Sequence, residues 1–97
     1  MINSRQRSEL RAMANGVEAI FQIGKAGVTE ALAEELCDAL KARELVKITV
    51  LKTAEGTMKE LMEEVCAMTG ADPVSVCGRK LVIYKAPEDR SKAKIKV

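Results

Sequence analysis

Between a short apolar run and a polar helix-forming stretch of this 97-residue chain stands Gly24-Lys25-Ala26-Gly27, a tetrapeptide whose residue types suit a phosphate group. Glycines at both ends let the backbone turn sharply, and they lack the β-carbons that would hold another chain's backbone at a distance. Lys25 adds a mobile cation at the tip. The next helix start brings unpaired N–H groups and the positive end of a dipole. The tetrapeptide lacks the GK[ST] ending of a Walker loop and a suitably placed acid for magnesium, which argues against nucleotide hydrolysis. Its glycines are too few for a dinucleotide-binding fingerprint. Ordinary strand-to-helix turns use glycines as well, so these four residues do not decide the matter alone.

Other chemistries find little support. The chain has no histidine, and so lacks the commonest general base, the usual activator of a cysteine and the commonest metal ligand. Cys37, Cys66 and Cys77 form no CxxC pair, are odd in number and fall in apolar-periodic segments, so reduced, packed thiols are expected rather than disulfides or zinc. Glu34 with Glu35, and Glu63 with Glu64, lie on helix faces near lysines and read as solvated acids. No catalytic residue, metal, cofactor or small-molecule substrate is expected. The only aromatics are Phe21 and Tyr84, too few for a base-stacking platform. Phe21 reads as core; Tyr84, near the basic end, could stack on a base or join the core. Any nucleic-acid recognition should therefore lean on backbone phosphates and shape, in the way the GXXG loop of a KH domain grips a nucleotide backbone.

The formal net charge is only +2, but it is unevenly placed. From Arg79 onward seven bases (Arg79, Lys80, Lys85, Arg90, Lys92, Lys94, Lys96) face two acids, giving +5 and leaving −3 for the rest. A second basic group, Arg5, Arg7 and Arg11, sits near the start. Such polarity suits a molecule whose basic side meets phosphates, and equally suits a solvated tail.

The elements that must position these residues follow from periodicity. Ser4 as N-cap, with Leu10, Met13 and Ala14 at helical spacing and Asn15-Gly16 as a left-handed stop, predicts a helix over Ser4–Ala14. Ala19–Ile23 reads as a strand. Thr29 caps a second helix with Leu32, Ala33, Leu36, Cys37 and Leu40 inward. Leu45–Leu51 alternates as a strand, with Val46, Ile48 and Val50 on one face and Lys47 and Thr49 on the other. Thr57 and Glu60 form a capping box for a third helix, with Leu61, Met62, Val65 and Met68 inward and Gly70 past its end. Val74–Cys77 and Leu81–Tyr84, around Gly78-Arg79-Lys80, read as a tight hairpin. The order α-β-α-β-α-β-β predicts a two-layer α/β sandwich with a mixed sheet of four strands. Residues 1–86 form the expected domain and 87–97 a flexible basic tail. A 47% apolar composition suffices for one core at this length. No apolar run reaches membrane-spanning length and the first residues lack a secretory signal, so a cytoplasmic protein without a membrane partner is expected.

Three blocks in order, Ile20–Thr29, Ala42–Ile48 and Gly78–Tyr84, resemble the CRM domain, the chloroplast RNA splicing and ribosome maturation domain, in its stand-alone YhbY-like bacterial form. The resemblance covers roughly residues 4–86. It implies a fold similar to the C-terminal domain of translation initiation factor 3 and an RNA-binding surface that includes the GxxG loop. By that resemblance the protein is expected to be an RNA-binding factor on precursors of the large ribosomal subunit, probing ribosomal RNA as a monomer. Gly24, Lys25, Ala26 and Gly27 match the loop, and Arg5, Arg7 and Arg11 match the basic helix; Arg79, Lys80 and Lys85 complete the expected contacts. Many members carry proline where Ala19 stands and arginine where Lys85 stands, and lysine keeps the charge without the bidentate fork. A rival expectation is a protein-interaction module whose basic tail has no direct RNA role.

Overall fold

The computed structural model describes residues 2–87, arranged as α1 (Ser4–Ala14), β1 (Ala19–Ile23), α2 (Glu30–Arg43), β2 (Leu45–Val50), α3 (Met58–Thr69), β3 (Asp72–Cys77) and β4 (Lys80–Tyr84). The expected element order and the mixed four-stranded sheet are both present. Strand order is β1-β2-β4-β3, with β1 parallel to β2 and the other neighbours antiparallel. The basic segment over 88–97 lies outside the described residues.

Period-two alternation decides which side chains go where. Val46, Ile48 and Val50 of β2 and Leu81 and Ile83 of β4 join Leu36 and Leu40 of α2 and Leu61, Met62 and Val65 of α3 in one buried cluster. The intervening residues Leu45, Val82 and Tyr84, with Val74 of β3, point the other way and meet Ile2, Leu10 and Ala14. Helix α1 therefore lies across the opposite face, a partial third layer beside the sandwich formed by the sheet with α2 and α3. Each fully buried aliphatic side chain contributes about 1.5–3 kcal/mol. Leu10, with no exposed surface, is the main anchor of α1.

Several local expectations change. Asn3, not Ser4, caps α1: its side chain accepts the Gln6 N–H at 2.8 Å, while the Gln6 side chain accepts the Asn3 N–H at 3.0 Å. The shift of one residue follows from the reciprocal partner three positions on, which Asn3 has in Gln6. The helix ends without a left-handed residue. Asn15 is right-handed (φ −61°), and short bonds from Asn15, Gly16 and Val17 to Ala12, Met13 and Ala14 tighten the last turn. The Lys47 ammonium reaches across to donate to the Ala14 carbonyl at 3.1 Å, which satisfies the helix end from β2. Met13 and Met68 are exposed, because each falls at the rim of its helix's buried stripe. β3 starts two residues before the expected Val74 and includes Pro73, tolerated because β3 is a sheet edge and a register shift follows the proline.

The two candidate caps can be separated by substitution. Asn3→Ala should cost about 1 kcal/mol in urea unfolding, whereas Ser4→Ala should stay within about 0.5 kcal/mol of wild type.

Candidate nucleic-acid interface

The GxxG segment is a four-residue turn in which the Gly27 N–H donates to the Gly24 carbonyl at 2.9 Å. Lys25 and Ala26 occupy its corners, both exposed. Buried Val28 ties the turn to the core, and Thr29 caps α2 by accepting the Leu32 N–H at 3.1 Å. The two glycines serve different ends. Gly27 has φ +71°, where an L side chain is strained although a β-carbon would meet nothing within 4 Å. At Gly24 a β-carbon would stand 3.6 Å from Leu51 Cδ1 and 3.7 Å from Thr53 Oγ1, ordinary contact distances. The fold thus requires glycine at 27 and merely accepts it at 24. Glu30, in the first turn of α2, places a carboxylate by the helix start. Anion attraction here therefore rests on Lys25 more than on the helix dipole.

Two further turns meet this one at the same end of the sheet. The Leu51 N–H donates to the Ile23 carbonyl at 2.8 Å, just before Gly24. The Ala54 N–H donates to the Leu51 carbonyl at 3.0 Å, closing a turn with exposed Lys52 at its corner. Arg79, in the β3–β4 turn, binds both neighbours of that junction: Nε donates to the Val50 carbonyl at 2.9 Å and Nη2 to the Leu51 carbonyl at 2.6 Å. Its own carbonyl accepts the Val50 N–H at 2.7 Å. Arg79 is therefore a brace that fixes the Lys52 turn beside the GxxG turn.

Sheet register brings the next cations in. Gln22, Thr49, Lys80 and Cys77 stand in one row across all four strands. Behind Lys80 lie Lys47 of β2 and Arg11 of α1, on the face that α1 half covers. The structure thus gathers Gly24–Gly27, Arg79 and Lys80 at one end, with Arg11 alongside. Arg7 and Arg5 lie farther up α1. The Arg7 Nε donates to the Pro73 carbonyl at 3.2 Å, and Arg5 forms an exposed pair with Glu9 at 3.6 Å, an arrangement that contributes little stability. Lys85 is at the opposite end of the sheet, where Tyr84 pairs with Leu45, and its ammonium donates to the Thr69 carbonyl at the end of α3 at 3.0 Å. Lys47 and Lys52 were absent from the sequence-based set. Lys52 could have been found from its turn context, flanked by Thr53, Glu55 and Gly56 after a strand; nothing in the sequence signals the reach of Lys47.

Tyr84 is buried under α1 and Phe21 packs on the main core, so neither is placed to stack on a base. The three cysteines are free thiols, but only Cys37 and Cys66 are half-buried. Cys77 is exposed, contrary to its expected packing, because its strand position shares the open row with Lys80. Burial, and then the Asp72 carboxylate, pushes the Cys66 thiol up, which favours its protonated form. Among the described residues no group of three histidines, cysteines or acids could hold a metal ion.

A small α/β domain that projects a GxxG turn between basic neighbours from one end of a mixed sheet is the class that this geometry defines. The chain belongs to the CRS1/YhbY (CRM) domain family, whose model matches residues 2–85. Among its relatives, the Bacillus subtilis protein called "Probable RNA-binding protein YqeI" is 30% identical over 95 residues, covering 98% of this chain and 99% of that one. A Haemophilus influenzae protein called "RNA-binding protein" is 27% identical over 88 residues, covering 91% and 89% of the two chains. A Staphylococcus aureus protein with a known solution structure shares the fold with a TM-score of 0.81 and 33% identity, covering 99% and 100%.

The difference between the glycines gives a direct test. Gly27→Ala should destabilise the domain by about 1–2 kcal/mol through its left-handed backbone, and Gly24→Ala should melt within a few degrees of wild type. Thermal unfolding by circular dichroism distinguishes them.

Proposed function

We propose that this protein binds RNA, gripping backbone phosphates at the Gly24–Gly27 turn, and that it acts as a monomeric cytoplasmic assembly factor on precursors of the large ribosomal subunit. The observation that carries the reading is the junction of three turns, which places exposed Lys25 and Lys52 on adjoining turns, the first of them ending in a glycine whose side-chain space the fold leaves unused. Family membership and relatives called RNA-binding proteins support it. Within this reading Lys25, Lys52, Lys80 and Arg11 supply contacts to phosphates; among the described residues none of the four has a side-chain hydrogen bond or ion pair. Arg79 and Lys85 act at one remove, since their side chains hold the fold's carbonyls. The role is one of binding rather than catalysis, with no cofactor or small-molecule substrate. The basic residues after Glu88 would add attraction of longer range, sensitive to salt.

Lys25→Ala should lower the slope of log K against log salt by about 0.7–0.9, the loss of one phosphate contact, while Lys25→Glu should weaken binding further. Fluorescence anisotropy with ribosomal RNA fragments over a salt series reads both, after melting curves show that the variants fold. Unchanged affinity and slope for Lys25→Glu would reduce the GxxG segment to a plain turn. The ribosomal assignment is tested by crosslinking in cells and sequencing the attached RNA. A pull-down whose partners survive complete RNase digestion would favour the rival protein-interaction module.

A further inference from the structure

Helix α1 covers only half of its sheet face. Leu10 and Ala14 seat it over Leu45, Val82 and Tyr84, and the row Gln22–Thr49–Lys80–Cys77 is left open beyond its flank. The result is a cleft of about 680 Å³ between the C-terminal half of α1 and the β3–β4 hairpin. Arg11, Lys47 and Lys80 line it, with Asn15, Ser75 and the edge of Val82, and no carboxylate is among its lining residues. Lys47 is held in place by its bond to the Ala14 carbonyl, so its charge stays within the cleft. Three cations with an amide and a hydroxyl group in the same lining complement a phosphate joined to a hydrogen-bonding base.

Size decides which form of nucleic acid fits. Clefts of about 300–1,000 Å³ house single small molecules, so a nucleotide unit can enter where a duplex cannot. Strand geometry sets Lys80 about 12 Å from Gly24, given a rise of about 3.3 Å per residue and about 4.8 Å between strands. On the order of three nucleotides at a stacked 3.4 Å spacing cover that distance. We infer that the cleft is a second subsite of the same interface, which takes an unpaired nucleotide of the bound RNA, its phosphate on Arg11 and Lys80 and its base at Asn15 and Ser75. This inference rests on the RNA-binding reading but not on the grip of the GxxG turn. It makes the protein selective for RNA with single-stranded segments, because a duplex reaches only the outward lysines of the turns.

Cys77, exposed in the Lys80 row, is a native reporter of occupancy, and half-buried Cys37 and Cys66 serve as internal references. The test uses the full chain with a short unstructured RNA oligonucleotide, and the same oligonucleotide annealed to its complement. Anisotropy measures binding, and mass spectrometry measures iodoacetamide alkylation of each cysteine. Saturating single strand should slow Cys77 alkylation about tenfold and duplex less than about twofold, and Lys80→Glu should weaken single-strand binding about tenfold and duplex binding by a clearly smaller factor. Saturation by single strand without protection of Cys77, or equal weakening of both forms by Lys80→Glu, overturns the subsite. If Lys25→Glu binds normally while Cys77 is still protected, the GxxG grip fails and the subsite stands. If neither RNA binds at all, both ideas fall.

Discussion

β4 is covered on both faces, and the rest of the molecule depends on that. Leu81 and Ile83 lie under α2 and α3, while Val82 and Tyr84 lie under α1, so four consecutive residues leave water at once. The strand pairs with β2 on one side and β3 on the other, and its register fixes which residues of those strands share a face. A slip of one residue would exchange Leu81 and Ile83 for Val82 and Tyr84, and would carry Lys80 toward the main core. The open basic row and the apolar seat of α1 are therefore set by the same pairing.

Cations divide into two kinds by what their donors reach. Arg79, Lys85 and Lys47 each donate to backbone carbonyls at the end of a strand or a helix, and they join segments distant in sequence. Such charge-assisted bonds are stronger than neutral ones, and they add to the local turn and cap bonds already present at these segment ends. Lys25, Lys52, Lys80 and Arg11 have no such partner among the described residues. A modest net charge of +2 can thus coexist with a concentrated basic surface, because the acids collect on the outer faces of α2 and α3.

Element types were legible because alternation in β2 and helical spacing in α2 and α3 are strong local signals. The GxxG turn was legible for the same reason, since strand and capped helix bracket it. Where α1 lands was not, because its apolar stripe says that one face is buried but not against which side of the sheet. Roles of single cations were also hidden. Lys85 and Arg79 looked like candidates for an external phosphate, and the carbonyls they bind, at Thr69, Val50 and Leu51, come close only once the chain has folded. The cap at Asn3 was missed for a smaller reason: Ser4 is an equally good capping type, and only the reciprocal bond with Gln6 separates them.

The strand order has a consequence for how the chain is made. In β1-β2-β4-β3 one of the two interior strands, β4, is synthesised after the other three. Until Lys80–Tyr84 leaves the ribosome, β2 presents an unpaired edge, one core lacks Leu81 and Ile83, and the other lacks Val82 and Tyr84. Domains that must wait for such long-range pairing cross their folding barrier late and expose apolar surface meanwhile. The domain therefore cannot complete its sheet until β4 has emerged and taken its place between β2 and β3.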